Sequence, residues 1–274
     1  MIRAILALLA LLLPFATAFA EAPRRVVSLN LCADQLLLAL ADREQIASVT
    51  YLARDPELSF LAREAASVPF NGGSGEAMLL NRADLVLLGA YDGRARRDLL
   101  DRQGVPTLVL EPWRDLAHGR AQIRTVAVRL GHPDRGERLV AAIDEAFGRA
   151  KDVAPAPRSV LVLNRRGWVP GVESVVADVL RRAGLLLANE RIGLPAGGLA
   201  RLESLVAFPP DYAVTGEFDF GDDQGAAFLA HPALGKALPP DRRIRLPGRL
   251  TLCEGPSTPA LIDHLAAAIR DRVR

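Results

Sequence analysis

From Arg24 onward the chain alternates short aliphatic runs with amphipathic stretches, and this alternation restarts after one long helical segment in the middle. Continuous apolar runs of four or five residues bounded by polar or glycine positions are the mark of parallel strands buried on both faces, so the pattern predicts α/β layers. In the first half the strands are Arg25 to Leu29, Ile46 to Val49, Leu85 to Leu88 and Thr107 to Leu110, with a helix capped by Asp34 and running through Leu40. The middle is helical. Ala121 to Leu130 ends at Gly131-His132-Pro133, and Asp134 caps a second helix whose apolar positions Leu139, Val140, Ile143 and Phe147 share one face. It runs to about Lys151, roughly 27 Å at 1.5 Å per residue. The prolines Pro155 and Pro157 stop it. Strands then resume at Ser159 to Leu163, Tyr212 to Val214 and Arg243 to Leu246, with helices at Ser174 to Ala183 and Pro259 to Arg272; a polar loop from Asn164 to Gly171 contains Trp168.

Ahead of this lies a different composition. Met1 and Arg3 precede an apolar run from Ala4 to Leu13, and Ala18-Phe19-Ala20 ends the segment as a cleavage pattern. This is the layout of a secretory signal peptide, too short in its apolar part to span a bilayer. The division expected is therefore a leader at 1–20, an N-terminal lobe at 21–118, a helical connection at 119–154 and a C-terminal lobe at 155–274. The chain carries 34 basic and 32 acidic side chains, a net charge of +2. That balance argues against nucleic acid or an anionic membrane as the main partner.

Several chemistries have no representative. There is no phosphate-binding P-loop, and Gly72-Gly73-Ser74-Gly75-Glu76 departs from the G-x-S-x-G elbow at its last position. The histidines His118, His132, His231 and His264 are scattered, and neither Cys32 nor Cys253 lies in a zinc-type cluster. His132 and His231 both precede proline, as at turns or helix starts. No catalytic residues, resident metal or cofactor are expected; a secreted two-lobed hydrolase is the alternative from the enzyme class.

The order of elements resembles the periplasmic substrate-binding proteins of ABC importers for iron chelates and cobalamin. The likeness covers the chain from about Arg24 to its end and is most specific in Arg25-Val26-Val27-Ser28-Leu29-Asn30. The stretch Gly75 to Val86 is similar to the family's E-x-I-x-x-L-x-P-D-L-V element, with Ala83 in place of the proline, and Leu202 to Asp211 is its counterpart in the second half. The resemblance implies two α/β lobes with mainly parallel sheets bridged by a rigid helix. It also implies a monomeric, non-enzymatic protein with an inner-membrane permease as partner. Because Cys32 lies well past the expected cleavage point after Ala20, the protein is expected free in the periplasm without a lipid anchor. Carried over by position, Glu76 and Glu203 would dock onto permease arginines. Each otherwise reads as an acid in the first turn of a short helix.

In open α/β sheets ligands sit beyond the C-terminal ends of the strands. That rule puts Asn30, Cys32, Tyr51, Tyr91 and Trp113 on one wall of a cleft, and Arg165, Trp168 and, as a further candidate, Phe220 on the other. Aromatic faces and a few hydrogen bonds would hold a large metal chelate. Corrinoid and ferric siderophore rank ahead of haem, for which Tyr51 or Tyr91 offers an axial ligand. Three readings of the cysteines stand open: a Cys32–Cys253 disulfide across the cleft, two small thiols, or two ligand contacts.

Overall fold

The computed structural model describes residues 21–74, 82–92, 94–217 and 224–274. Its first sheet is built from β1 (Val26–Ser28), β2 (Ile46–Thr50), β3 (Phe70–Asn71), β4 (Leu85–Gly89) and β5 (Thr107–Leu110), in the order β3-β2-β1-β4-β5. Every pairing in it is parallel. Successive side chains point to opposite faces of a strand. Accordingly Val26, Leu85 and Leu87 enter one apolar cluster, whereas Val27, Val86 and Leu88 enter another with Leu100. Both faces are covered, which is why these strands read as unbroken aliphatic runs.

The second sheet repeats the plan with β6 (Ser159–Val162), β8 (Leu186–Leu187), β10 (Tyr212–Glu217) and β11 (Arg243–Pro247), ordered β11-β10-β6-β8 and again parallel throughout. The loop expected between Asn164 and Gly171 holds a 3-10 turn at Arg165–Gly167 and then β7 (Trp168–Val169), which pairs antiparallel with β9 (Gly198–Leu199). The mixed α/β class with two parallel sheets is thus as expected.

The two lobes share a device at the N-terminal edges of their sheets. Asp84, just before β4, accepts the backbone N–H groups of Arg24 at 2.8 Å and Arg25 at 2.9 Å. Asp211, just before β10, accepts the N–H and the hydroxyl of Ser159, each at 2.8 Å. In each lobe the carboxylate beside one strand satisfies the entering backbone of its parallel neighbour.

Helix α1 (Leu31–Leu40) begins four residues earlier than Asp34 as a cap would set it. Asn30 is its N-cap, its side-chain oxygen accepting from the Cys32 N–H at 2.9 Å. Asp34 instead lies fully buried and accepts the Thr50 N–H at 3.0 Å and the Thr50 hydroxyl at 2.5 Å. A carboxylate already used by a strand sixteen positions away cannot cap its own helix.

After α2 (Arg94–Arg102), the chain crosses between the lobes through α3 (Leu116–Leu130) and α4 (Pro133–Arg149). Gly131, at φ 86°, closes α3 in the left-handed conformation that favours glycine. The cap of α4 is His132, not Asp134, because Pro133 takes the first helical position, where a missing N–H costs nothing; the helix stops two residues short of Lys151.

Helix α4 is fastened to different lobes at its two ends. At the start, Arg135 bonds the Leu40 carbonyl at 3.0 Å and Asp42 at 2.5 Å, and His132 meets Gln45 at 2.8 Å. At the end, Arg149 grips Asp263 of α7 (Thr258–Arg272) with two bonds of 3.0 and 2.8 Å, counting α5 (Val175–Arg182) and α6 (Leu202–Ala207) before it. Between them Val140, Ile143 and Ala146 are buried in a cluster that also contains Val26 and Leu85 of the first sheet and Val160 and Val214 of the second. Exposed ion pairs are worth about 0–1 kcal/mol each, and a buried Val or Ile about 1.5–3 kcal/mol. The apolar face therefore holds the strut and the ion pairs orient it.

Among the described residues no helix is long and apolar enough to cross a membrane. The leader expected at 1–20, Glu76 and Phe220 lie outside the described residues.

Candidate functional site

The C-terminal edge of the first sheet is where its loops gather. Asn30 follows β1, Tyr51 follows β2, Tyr91 follows β4 and Trp113 follows β5. Because β2 and β4 flank β1, Tyr51 and Tyr91 leave the sheet on either side of Asn30. Tyr91 is 89% exposed and Tyr51 57%. Gly89 makes room for this arrangement: a Cβ there would lie 2.7 Å from the Asn30 amide nitrogen.

Trp113 is only 8% exposed. Its ring lies over Gly119 of α3, where a Cβ would come within 2.2 Å, and its Nε1–H donates to Gln122 Oε1 at 3.1 Å. Gln122 in turn donates to the Glu111 carbonyl at 2.9 Å. Trp113 is thus a wall held by α3, with one face toward the cleft. Gly119 lies outside the helix expected from Ala121, and it joins α3 because that helix begins five residues earlier, at Leu116.

Cys32 and Cys253 are bonded to each other, with Cα atoms 5.0 Å apart. Neither is a thiol or a thiolate ligand. Cys32 belongs to the first turn of α1, and Cys253 follows the short helix Gly248–Thr251 that continues β11. The bond therefore joins the strand-end regions of the two lobes.

Beside it lies a cavity of about 220 Å³. The first lobe lines it with Asn30, Tyr91, Glu111, Trp113 and Gln122, and the second with Leu252 and Glu254. Trp113 also faces an outer cavity of about 620 Å³, where Arg114 looks across to Gly171–Ser174, Pro195 and Ala196. A third cavity, about 720 Å³, lies among Asp115, Glu173, Asp178, Arg181 and Glu190; it is larger than either of these but receives only Asp115 from the first lobe. The cleft between strand ends is the pair that shares Trp113.

Tyr51, Arg165 and Trp168 line neither of those two cavities. Trp168 is 49% exposed and pairs across strands with the exposed Leu199. Glu111, Gln122, Arg114 and Glu254 are cleft residues that the sequence did not mark.

A buried polar network underlies the same edge. Asp34 ties Thr50 at the end of β2, with the Ser28 hydroxyl also bonding its carboxylate. Asn71 of β3 donates to the Ser28 carbonyl at 3.0 Å and the Ser48 hydroxyl at 2.9 Å. Burial pushes the Asp34 carboxyl up to about 6, with the bonds from Ser28 and Thr50 pulling it back and Asp92 pushing the same way as burial. The ends of three adjacent strands are thus locked together beneath their loops.

No group of three or more metal-binding side chains forms among the described residues. The histidines have local tasks: His118 accepts from the Arg114 N–H, His231 caps the helix Pro232–Ala237 through the Ala233 N–H, and His264 meets the Arg245 carbonyl.

Residues 26–237 match a family described as periplasmic binding protein. No curated protein matches the sequence. Among solved structures, the periplasmic heme-binding protein RhuT from Roseiflexus sp. RS-1, in apo form, is 25% identical; the alignment covers 92% of this chain and 99% of that one, with a TM-score of 0.72. A periplasmic heme-binding protein from Pseudomonas aeruginosa is 22% identical over 92% and 94% of the two chains, at a TM-score of 0.69. A periplasmic binding protein from Veillonella parvula dsm 2008 is 17% identical over 92% and 93%, at 0.73.

Proposed function

The chain belongs to the periplasmic binding protein family, and we propose that it captures a metal chelate in the cleft between its lobes and hands it to an inner-membrane ABC permease. The observation that carries this reading is the convergence of strand ends from both sheets around one aromatic and amide-lined cleft, closed at its inner end by the Cys32–Cys253 bond. Open α/β sheets bind their ligands at this edge.

A tetrapyrrole is the first class of chelate. Two of the similar structures carry haem-binding names, which raises haem from third place to the level of corrinoid. Tyr91, exposed at the inner cavity, offers a phenolate of the kind that serves as an axial iron ligand. A ferric siderophore is the second reading, favoured by Arg114 in the outer cavity, since a guanidinium suits catecholate or carboxylate oxygens.

The permease contact is assigned to Glu203. It is exposed in the first turn of α6, beside the exposed Val206 and Phe208. An exposed carboxylate meeting guanidinium groups would set orientation in a transient contact with an apolar margin. Glu76 is assigned the matching role on the first lobe by position in the sequence.

Tryptophan quenching of the mature protein against haemin, cyanocobalamin and ferric siderophores tests the ligand reading. Saturable binding of a chelate without turnover is the expected result. Silence toward all of them would overturn the chelate reading. For the docking residue, Glu203→Ala should impair uptake while leaving chelate affinity unchanged, and a large affinity loss would put that side chain to a different use.

A further inference from the structure

The inner cavity has a one-sided charge. Its polar lining residues are Glu111, Glu254, Asn30, Gln122 and Tyr91, two of them acidic, and among the described residues no Lys, Arg or His lines it. The carboxamides are engaged: Asn30 Oδ1 holds the Cys32 N–H, and Gln122 spans Trp113 and the Glu111 carbonyl. The Glu254 carboxylate is held only by its own backbone N–H among the described residues, and burial raises its carboxyl above the usual range.

The backbone that presents Glu254 is tightly fixed. Cys253, one residue before it, is bonded to Cys32, and its carbonyl accepts the Ser257 hydroxyl at 2.6 Å. Gly255, one residue after it, donates to Thr258 Oγ1 at 2.9 Å and sits at φ 126°, where an added Cβ would lie 3.2 Å from Leu36. The second lobe thus holds an acid, by a covalent bond on one side and a glycine on the other, against the strand ends of the first.

We propose that Glu254 is a specificity-determining residue of the cleft: its carboxylate receives an N–H donor or cationic group of the chelate and rejects ligands that would bring a carboxylate to the inner end. The proposal rests on the chelate reading above and narrows it. A partly buried carboxylate gains when a donor replaces lost water, and a second carboxylate beside it is repelled in a medium that screens poorly. A corrinoid periphery carries carboxamides, whereas that of haem carries two propionates. The cavity wall therefore selects the amide-bearing macrocycle.

The test compares dicyanocobinamide with haemin, by tryptophan quenching, on the mature wild-type protein and on Glu254→Gln and Glu254→Asp. The wild type should bind dicyanocobinamide about tenfold or more tighter than haemin, and Glu254→Gln should shrink that ratio by about tenfold, mainly by strengthening haemin binding. Glu254→Asp, which keeps the charge, should retain the wild-type order. Equal unfolding midpoints for the three proteins control for folding. A wild type that favours haemin, or a ratio unmoved by Glu254→Gln, overturns the role of Glu254 and leaves the chelate reading standing. Failure to bind either macrocycle or any ferric siderophore overturns both.

Discussion

Asp84 and Asp211 perform the same task in separate lobes, each accepting the backbone N–H where a neighbouring parallel strand begins. The Ser159 N–H beside Asp211 is the chief cause that holds this carboxyl below its usual range. A lowered acid stabilises the fold above its unfolded pKa, and that contribution is lost as pH falls through the folded value. Asp211→Ala should therefore cost about 1 kcal/mol at pH 7. The difference from wild type should shrink as pH is taken below the ordinary aspartate range. Urea unfolding at pH 7 and pH 3 measures both; a cost that is constant with pH would mean the carboxylate is not the acceptor.

Asp34 carries the opposite sign. Its folded pKa is raised to about 6 by burial, so between the unfolded value of 3.8 and that point the folded state binds more protons. Its contribution to stability should grow as pH drops from 7 to 5. In Asp34→Asn that gain should vanish, flattening the pH dependence between pH 7 and 5 relative to wild type by on the order of 1 kcal/mol. Chemical unfolding of both proteins at pH 7, 6 and 5 gives the double difference. Parallel curves would show that the carboxyl does not titrate there.

The Cys32–Cys253 bond closes a loop with a sequence separation of 221. Cross-links of that span restrict the unfolded chain most, with typical losses of about 2–5 kcal/mol on removal. Cys32→Ser with Cys253→Ser should lower stability by that order and weaken chelate binding, since the bond also fixes the inner end of the cleft. Comparison of oxidised and doubly substituted proteins by urea unfolding is decisive. A loss under about 0.5 kcal/mol would mean that residual structure in the unfolded chain already supplies the constraint.

Gly119→Ala inserts a methyl into the space of the Trp113 ring. Overpacking of this kind costs about 1–3 kcal/mol. Because the indole forms a wall of both cavities, chelate affinity should fall with stability, and the Trp113 emission should shift to the red as the ring moves toward solvent. A variant with native emission and affinity would place the ring elsewhere.

These cases show what could be read in advance. The long strands were visible because parallel strands covered on both faces leave unbroken runs such as Leu85 to Leu88. Strands of two residues, such as Phe70–Asn71 and Trp168–Val169, are too short to display a period and exist only because a partner backbone is present. The choice between Asn30 and Asp34 as cap was decided by Thr50, a contact that no local pattern encodes. Of the residues named by the strand-end rule, Asn30, Cys32, Tyr91 and Trp113 line the inner cavity, whereas Tyr51, Arg165 and Trp168 line neither cavity. The rule could not find Glu254, whose place follows from a covalent bond to a residue in the other lobe.

The fastening of α4 at both ends has a mechanical consequence. Arg135 anchors it to the Asp42 corner and Arg149 to Asp263, while its apolar face is continuous with both sheets. Such a beam transmits little bending, so the outer surfaces of the two lobes stand at a nearly constant gauge. A membrane partner that straddles them would meet the same span whether the cleft is filled or empty. Loaded and unloaded protein would then have to be told apart by tilt or by local ordering at the cleft rim, and not by separation.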